Sequence, residues 1–76
     1  MILLMENRIK EIIKEIIEEI DIQTINENSH LKNDLGLDSF NLALLTVKIE
    51  DEYEIDIFED GIVTTFGEIM ERLNNK

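Results

Sequence analysis

Cysteine and proline are both absent from this 76-residue chain. Without cysteine there are no disulfides, no thiolate metal site and no cysteine nucleophile. A small chain with no disulfides suits the cytoplasm. Histidine is nearly absent too. The single His30 rules out a multi-histidine metal cluster. Basic residues are scarce: 7 Lys and Arg stand against 18 Asp and Glu, for a net charge of −11. That balance repels phosphate backbones and argues against nucleic acid as a partner. It argues equally against anionic membrane surfaces. Long apolar runs are missing as well. Met1 to Met5 is far too short to span a bilayer, and no cleavage-site pattern follows it. Either Met5 is an alternative initiator or Ile2 to Met5 extend the first helix. Repeats and low-complexity stretches are absent.

The length allows one domain, residues 1–76. A domain of this size buries only about 60% of the surface its unfolded chain exposes. Its core must be simple, and a deep, walled active site has no room. The acidic excess has two readings. It steers a small protein toward basic patches on larger ones, or it only keeps the domain soluble.

Helical periodicity dominates the chain. Met5, Ile9, Ile12, Ile13, Ile16, Ile17 and Ile20 form one apolar stripe over Met5 to Ile20. Glu11 and Glu15 stand against Lys14 and Lys10 at spacings that allow same-face ion pairs. From Asp21 to Asp38 the pattern breaks into turn formers, with Leu31, Leu35 and Leu37 as apolar pegs. A connection this long in a small domain is often functional. A short helical turn fits around Ser29 to Leu31.

A second helix is expected from Ser39 to Glu52 or Tyr53, with Ser39 or Asp38 as N-cap and Leu42, Leu45, Ile49 and Tyr53 inward. A short third helix is expected near Phe58 to Asp60, ended by Gly61. Crowded acids around Glu50 to Glu54 and Asp56 to Asp60 make that element marginal. Thr65 with Glu68 has capping-box spacing and opens a last helix, Phe66 to about Leu73. The sum is an all-α four-helix bundle of three longer helices and one short one, with a long loop between the first two.

The chemistry concentrates in Asp34-Leu35-Gly36-Leu37-Asp38-Ser39-Phe40. Gly36 permits a positive φ just before the helix. Ser39 sits where free N–H groups and the positive dipole end favour a negative group, such as a phosphodiester on its oxygen. Asp38 would slightly oppose that charge, which points to recruitment of a modifying enzyme's basic surface or metal. Taken alone, Asp-Ser before a helix is more often an ordinary cap.

Length, acidity, helix order and motif together resemble the acyl and peptidyl carrier protein family over nearly the whole chain. The shared features are the serine motif near the middle and the following helix ending in Glu50-Asp51-Glu52-Tyr53. Ile55 and Ile57 around Asp56, and Thr64-Thr65-Phe66, complete the likeness. The resemblance implies a carrier with no catalytic residues and no resident metal. A phosphopantetheinyl transferase would link 4'-phosphopantetheine from coenzyme A to the Ser39 hydroxyl, using Mg²⁺. The thiol of the arm would then hold acyl groups as thioesters for acyl-loading and acyl-transferring enzymes of fatty-acid, polyketide or peptide-type biosynthesis. That imported thiol accounts for the missing cysteine.

The expected partner-facing residues are Asp38, Phe40, Asn41, Leu44, Val47, Lys48, Glu50 and Asp51. Phe40, Ala43, Leu44 and Val47 form an apolar strip. Asn41 and Leu44 stand where fatty-acid carriers commonly show acids, and Lys48 adds a positive charge. The segment between Tyr53 and Thr65 is short for such carriers and lacks their proline. These departures lean toward a specialised carrier. The expected protein is a cytoplasmic monomer without membrane or nucleic-acid partners.

Three rival readings exist. A calcium loop starting at Asp56 places Asp60 and Gly61 suitably, but has Phe58 at position three and Gly67 at position twelve. An unmodified docking module with a carrier-like fold would share every feature named so far. A Ser39-His30-Asp triad can be written, but nothing in the sequence indicates an oxyanion hole or substrate pocket.

Overall fold

The computed structural model describes residues 2–59 and 61–75, with side chains from residue 4 onward. Helix α1 is Ile2–Ile16, a 3-10 helix follows at Ile22–Thr24, α2 is Ser39–Tyr53 and α3 is Phe66–Asn74. The architecture is all-helical. The extended pairing found among the described residues is a single antiparallel bridge between His30 and Thr65. No helix among the described residues is long and apolar enough to cross a membrane.

Helix α1 starts earlier and ends earlier than its apolar stripe. Ile2 to Met5 extend the helix backward. At the other end, the Lys14 ammonium donates to the carbonyls of Glu18 and Ile20, the latter at 2.8 Å. Those bonds fold the chain back over the helix end, where a cation is also favoured by the dipole. Ile16, Ile17 and Ile20 still pack against the core. The stripe therefore reports burial correctly but overstates the helix. The ion pairs on α1 also differ from expectation: Arg8 pairs with Glu11 and Glu15, and Lys10 with Glu6.

The core joins all three helices through the loops. Ile9, Ile12 and Ile13 of α1 meet Leu45 and Ile49 of α2 and Phe66, Ile69, Met70 and Leu73 of α3. Burying a side chain such as Phe66 completely stabilises the fold by about 1.5–3 kcal/mol. Leu31, Leu35 and Leu37 are buried as expected, with Ile25, Ile57 and Val63 added from the connections. No buried side-chain polar atom among the described residues lacks a hydrogen-bond partner.

The short third helix near Phe58 to Asp60 is not formed over its described part; Asp60 lies outside the described residues. Residues 57–59 make a turn. The Asp56 carboxylate accepts from the Phe58 N–H at 2.9 Å, and the Glu59 N–H reaches the Asp56 carbonyl at 3.1 Å. The Asp56 bond is that of an N-cap, as at Asp21, but so short and acidic a stretch closes a single turn and does not repay the cost of nucleating a helix. Arg72 of α3 holds the segment from outside, donating to the Ile57 and Gly61 carbonyls at 2.9 and 3.3 Å.

The helical turn expected around Ser29 to Leu31 forms from His30 onward, where the Asp34 N–H bonds the His30 carbonyl at 2.9 Å, and a separate 3-10 helix precedes it. Asp21 caps the 3-10 helix through the Gln23 N–H, at 3.0 Å. Residues 27–31 are stitched to the start of α3. Leu31 N–H donates to the Thr64 carbonyl at 2.8 Å, Phe66 N–H to Ser29 at 2.9 Å and Gly67 N–H to Glu27 at 2.9 Å. Gly67 permits this approach, because a Cβ there would sit 2.7 Å from the Glu27 carbonyl oxygen.

Candidate functional site

The serine motif is built on a tight loop anchored at both sides. The His30 carbonyl accepts from the N–H groups of Asp34 and Leu35 at 2.9 and 3.0 Å, and the Leu37 N–H returns to Leu31 at 2.9 Å. The Asp34 carboxylate closes the loop by accepting from the His30 N–H at 2.7 Å. Leu35 and Leu37 point inward on either side of Gly36, whose φ of +81° makes the reversal between them. The next residues, Asp38, Ser39 and Phe40, are left exposed.

Of the two N-cap candidates, the structure uses Asp38. Its backbone is extended, its Oδ1 accepts from the Asn41 N–H at 2.8 Å, and the Asn41 side chain accepts from the Asp38 N–H at 3.2 Å. The carboxylate also carries the charge that the positive helix end favours. Ser39 is thereby released from capping. Among the described residues nothing hydrogen-bonds its hydroxyl, and the N–H groups of Ser39 and Phe40 keep no partner. An exposed hydroxyl beside two free N–H groups and a positive dipole end fits a phosphodiester on the serine oxygen.

The same geometry disfavours a serine hydrolase. His30 Nδ1 accepts from the Asn33 N–H at 3.2 Å and makes no bond to Ser39. No group of three or more His, Asp or Glu that could hold a metal is found among the described residues.

The structure sorts the remaining residues named from the sequence. Phe40 and Val47 are 74% and 60% exposed. Asn41 is committed to the cap, and Leu44 is half-buried. Lys48 reaches back to Glu15 of α1 at 3.5 Å. Glu50 and Asp51 are exposed, and line an open surface depression with Val47 and Glu54. Helix α2 ends at Glu54, a non-glycine residue in the left-handed region at φ 58°.

Sequence reasoning missed Arg8. Its guanidinium donates to both Glu52 oxygens, at 2.9 and 2.8 Å, and so ties α1 to the far end of α2. Chiefly through that hydrogen bond, Arg8 is held protonated even more firmly than usual and the Glu52 carboxyl titrates below its ordinary range. Burial pushes the neighbouring Tyr53 hydroxyl up. The spacing of Arg8 to Glu11 was the one local signal. Sequence reasoning also missed a cavity of about 190 Å³ beside the first turns of α2, walled by residues from three separate segments.

Comparison with known proteins identifies the family. Residues 7–73 match the family described as the phosphopantetheine attachment site. The acyl carrier protein of Desulforapulum autotrophicum is 32% identical over 73 residues, covering 93% of this chain and 95% of that protein. The acyl carrier protein of Buchnera aphidicola subsp. Schizaphis graminum is likewise 32% identical over 73 residues, covering 93% of this chain and 91% of that protein. Such carriers are modified by a transferase and work with partner enzymes. The match spans nearly the whole chain, and the chain therefore belongs to the phosphopantetheine attachment family, as a carrier of acyl intermediates on that prosthetic group rather than an enzyme.

Proposed function

We propose that Ser39 is the attachment residue and that the chain delivers acyl groups to partner enzymes of fatty-acid, polyketide or peptide-type biosynthesis. The observation that carries this is the free, exposed Ser39 hydroxyl at the start of α2, left unused because Asp38 makes the cap. Its oxygen attacks the pantetheine-side phosphorus of the coenzyme A pyrophosphate while a base of the transferase takes the proton; the P–O–P bond breaks and adenosine 3',5'-bisphosphate leaves. The free N–H groups of Ser39 and Phe40 and the helix dipole then stabilise the negative phosphodiester. Once attached, the arm supplies a thiol that holds the acyl group as a thioester.

Residues 1–76 act as one carrier domain. We read the turn at residues 57–59 as occupying the place of the short helix in a four-helix bundle plan, and residues 17–38 as its long loop. Phe40, Val47, Glu50 and Asp51 meet the partners, as their exposure supports. Asp38 adds its charge for the transferase, Asn41 and Lys48 serve mainly to hold α2, and Leu44 contributes only an edge. A monomer in the cytoplasm, with no membrane or nucleic-acid partner, is consistent with the −11 charge.

Incubation with coenzyme A, Mg²⁺ and a phosphopantetheinyl transferase tests the proposal by intact mass. The expected result is a gain of one phosphopantetheine, absent in Ser39→Ala. An unchanged wild-type mass would instead favour the unmodified docking module.

A further inference from the structure

We propose that the cavity beside Ser39 receives the far end of a short acyl group that terminates in a carboxylate. This deepens the carrier reading and rests on Ser39 bearing the arm.

The position comes first. Leu42 lines the cavity and lies three residues after Ser39, about 4.5 Å along the axis of α2. An arm fixed to Ser39 can fold back over that turn. The size comes second. About 190 Å³ is slightly more than the roughly 150 Å³ that admits benzene in an engineered cavity. That space takes a few carbons, and a long alkyl chain would have to force the walls apart.

The lining then selects the chemistry. Leu31, Leu42, Phe58 and Val63 give an apolar floor, and Ile62, 80% exposed, stands at the mouth. A short methylene stem suits that floor. The remaining walls are polar. Lys32 is, among the described residues, the one Lys or Arg with no hydrogen bond or ion pair. Arg8, Lys10 and Lys48 are matched with carboxylates, while Lys14 and Arg72 are matched with carbonyls. In a chain with 18 acidic residues to 7 basic, an unmatched lysine at a cavity is a departure. His30 accepts at Nδ1 from the Asn33 N–H, so the proton of its neutral ring sits on Nε2, which remains a donor.

Two carboxylates that bond to residues lining the cavity are already engaged. Glu68 is occupied by the Thr64 N–H, the Thr64 hydroxyl and the Thr65 N–H, at 2.7, 2.8 and 3.0 Å. Asp34 accepts from the His30 N–H. A carboxylate at the end of a short acyl stem would meet Lys32 and His30 with charge-assisted hydrogen bonds. An uncharged chain of the same length would reach only the floor.

The test uses the full chain, with its arm loaded with glutaryl or with pentanoyl, which match in length and differ in the terminal carboxylate. Glutaryl is expected to shift the NMR signals of Lys32, His30 and Phe58. It should raise the melting temperature above the pentanoyl form by roughly 2–6 °C at low salt. In Lys32→Gln that difference should vanish while the unloaded variant melts like wild type. Equal effects of the two acyl groups, or a glutaryl effect untouched by Lys32→Gln, would overturn the proposal and leave the carrier reading intact. Failure to load any arm, with the mass unchanged, would overturn both.

Discussion

Removing the Asp38 carboxylate separates two roles that the sequence superimposes. In the fold, Asp38 Oδ1 accepts from the Asn41 N–H at 2.8 Å and closes the capping box of α2. Asp38→Ala deletes that acceptor, at a cost of about 1 kcal/mol. In a domain of this size, the loss corresponds to a melting temperature lower by about 4–8 °C. Asp38→Asn keeps an acceptor and loses only the charge at the helix end, a loss of roughly 0.3–1 kcal/mol. Its melting temperature should therefore fall less. Recruitment of the transferase follows a different order. If the charge attracts a basic surface or metal, both variants should raise KM for modification by a similar factor, regardless of their stabilities. Thermal denaturation followed by circular dichroism gives the first quantity, and the rate of mass gain at varied protein concentration gives the second. Wild-type melting of Asp38→Ala would refute the capping account. Normal KM for Asp38→Asn, with a defect only in Asp38→Ala, would refute the charge account.

Two further perturbations test the frame around the site. Gly67→Ala replaces glycine by a better helix former and gains about 0.5–1 kcal/mol on propensity. Its Cβ would nevertheless lie 2.7 Å from the Glu27 carbonyl oxygen, and overpacking of that kind costs about 1–3 kcal/mol. The variant should melt several degrees lower, and a higher melting temperature would contradict the close approach of the loop to α3. Glu68 carries a pH signature. Hydrogen bonds from the Thr64 N–H and hydroxyl and the Thr65 N–H hold its carboxyl below the ordinary 4.5. A folded-state pKa below the unfolded value stabilises the fold above that unfolded value, and the gain is lost as pH falls through the folded one. Wild type should thus melt above Glu68→Gln at pH 7, and the gap should close as pH drops below about 4.5. A gap unchanged at pH 3 would count against this reading.

What the sequence reveals tracks how local each cause is. Helix α2 and its serine are legible because the turn glycine, the Asp38 cap and the inward stripe all lie within a few residues of one another. The start of α3 is legible for the same reason, through Thr65 and Glu68. The end of α1 is not, because Ile17 and Ile20 keep the apolar period while Lys14 folds the chain back over the helix end. The Phe58 segment stays a capped turn because it is too short to repay the cost of helix nucleation, although Asp56 bonds the Phe58 N–H as an N-cap does. The contacts of Arg8 with Glu52 span 44 positions and lie beyond any periodicity argument. The cavity beside Ser39 joins the loop before α2, α2 itself and the segment before α3, so it exists only in three dimensions. Lys48, distinctive in sequence as a positive charge on the expected partner face, pairs with Glu15 of this same chain.

The most direct measurement is fragmentation mass spectrometry of the transferase-treated chain, locating the added group residue by residue. One phosphopantetheine on Ser39, and none elsewhere, is the predicted result. The arm on another hydroxyl, such as Ser29 or Thr46, or no arm under conditions that modify a known acyl carrier protein, would contradict the account.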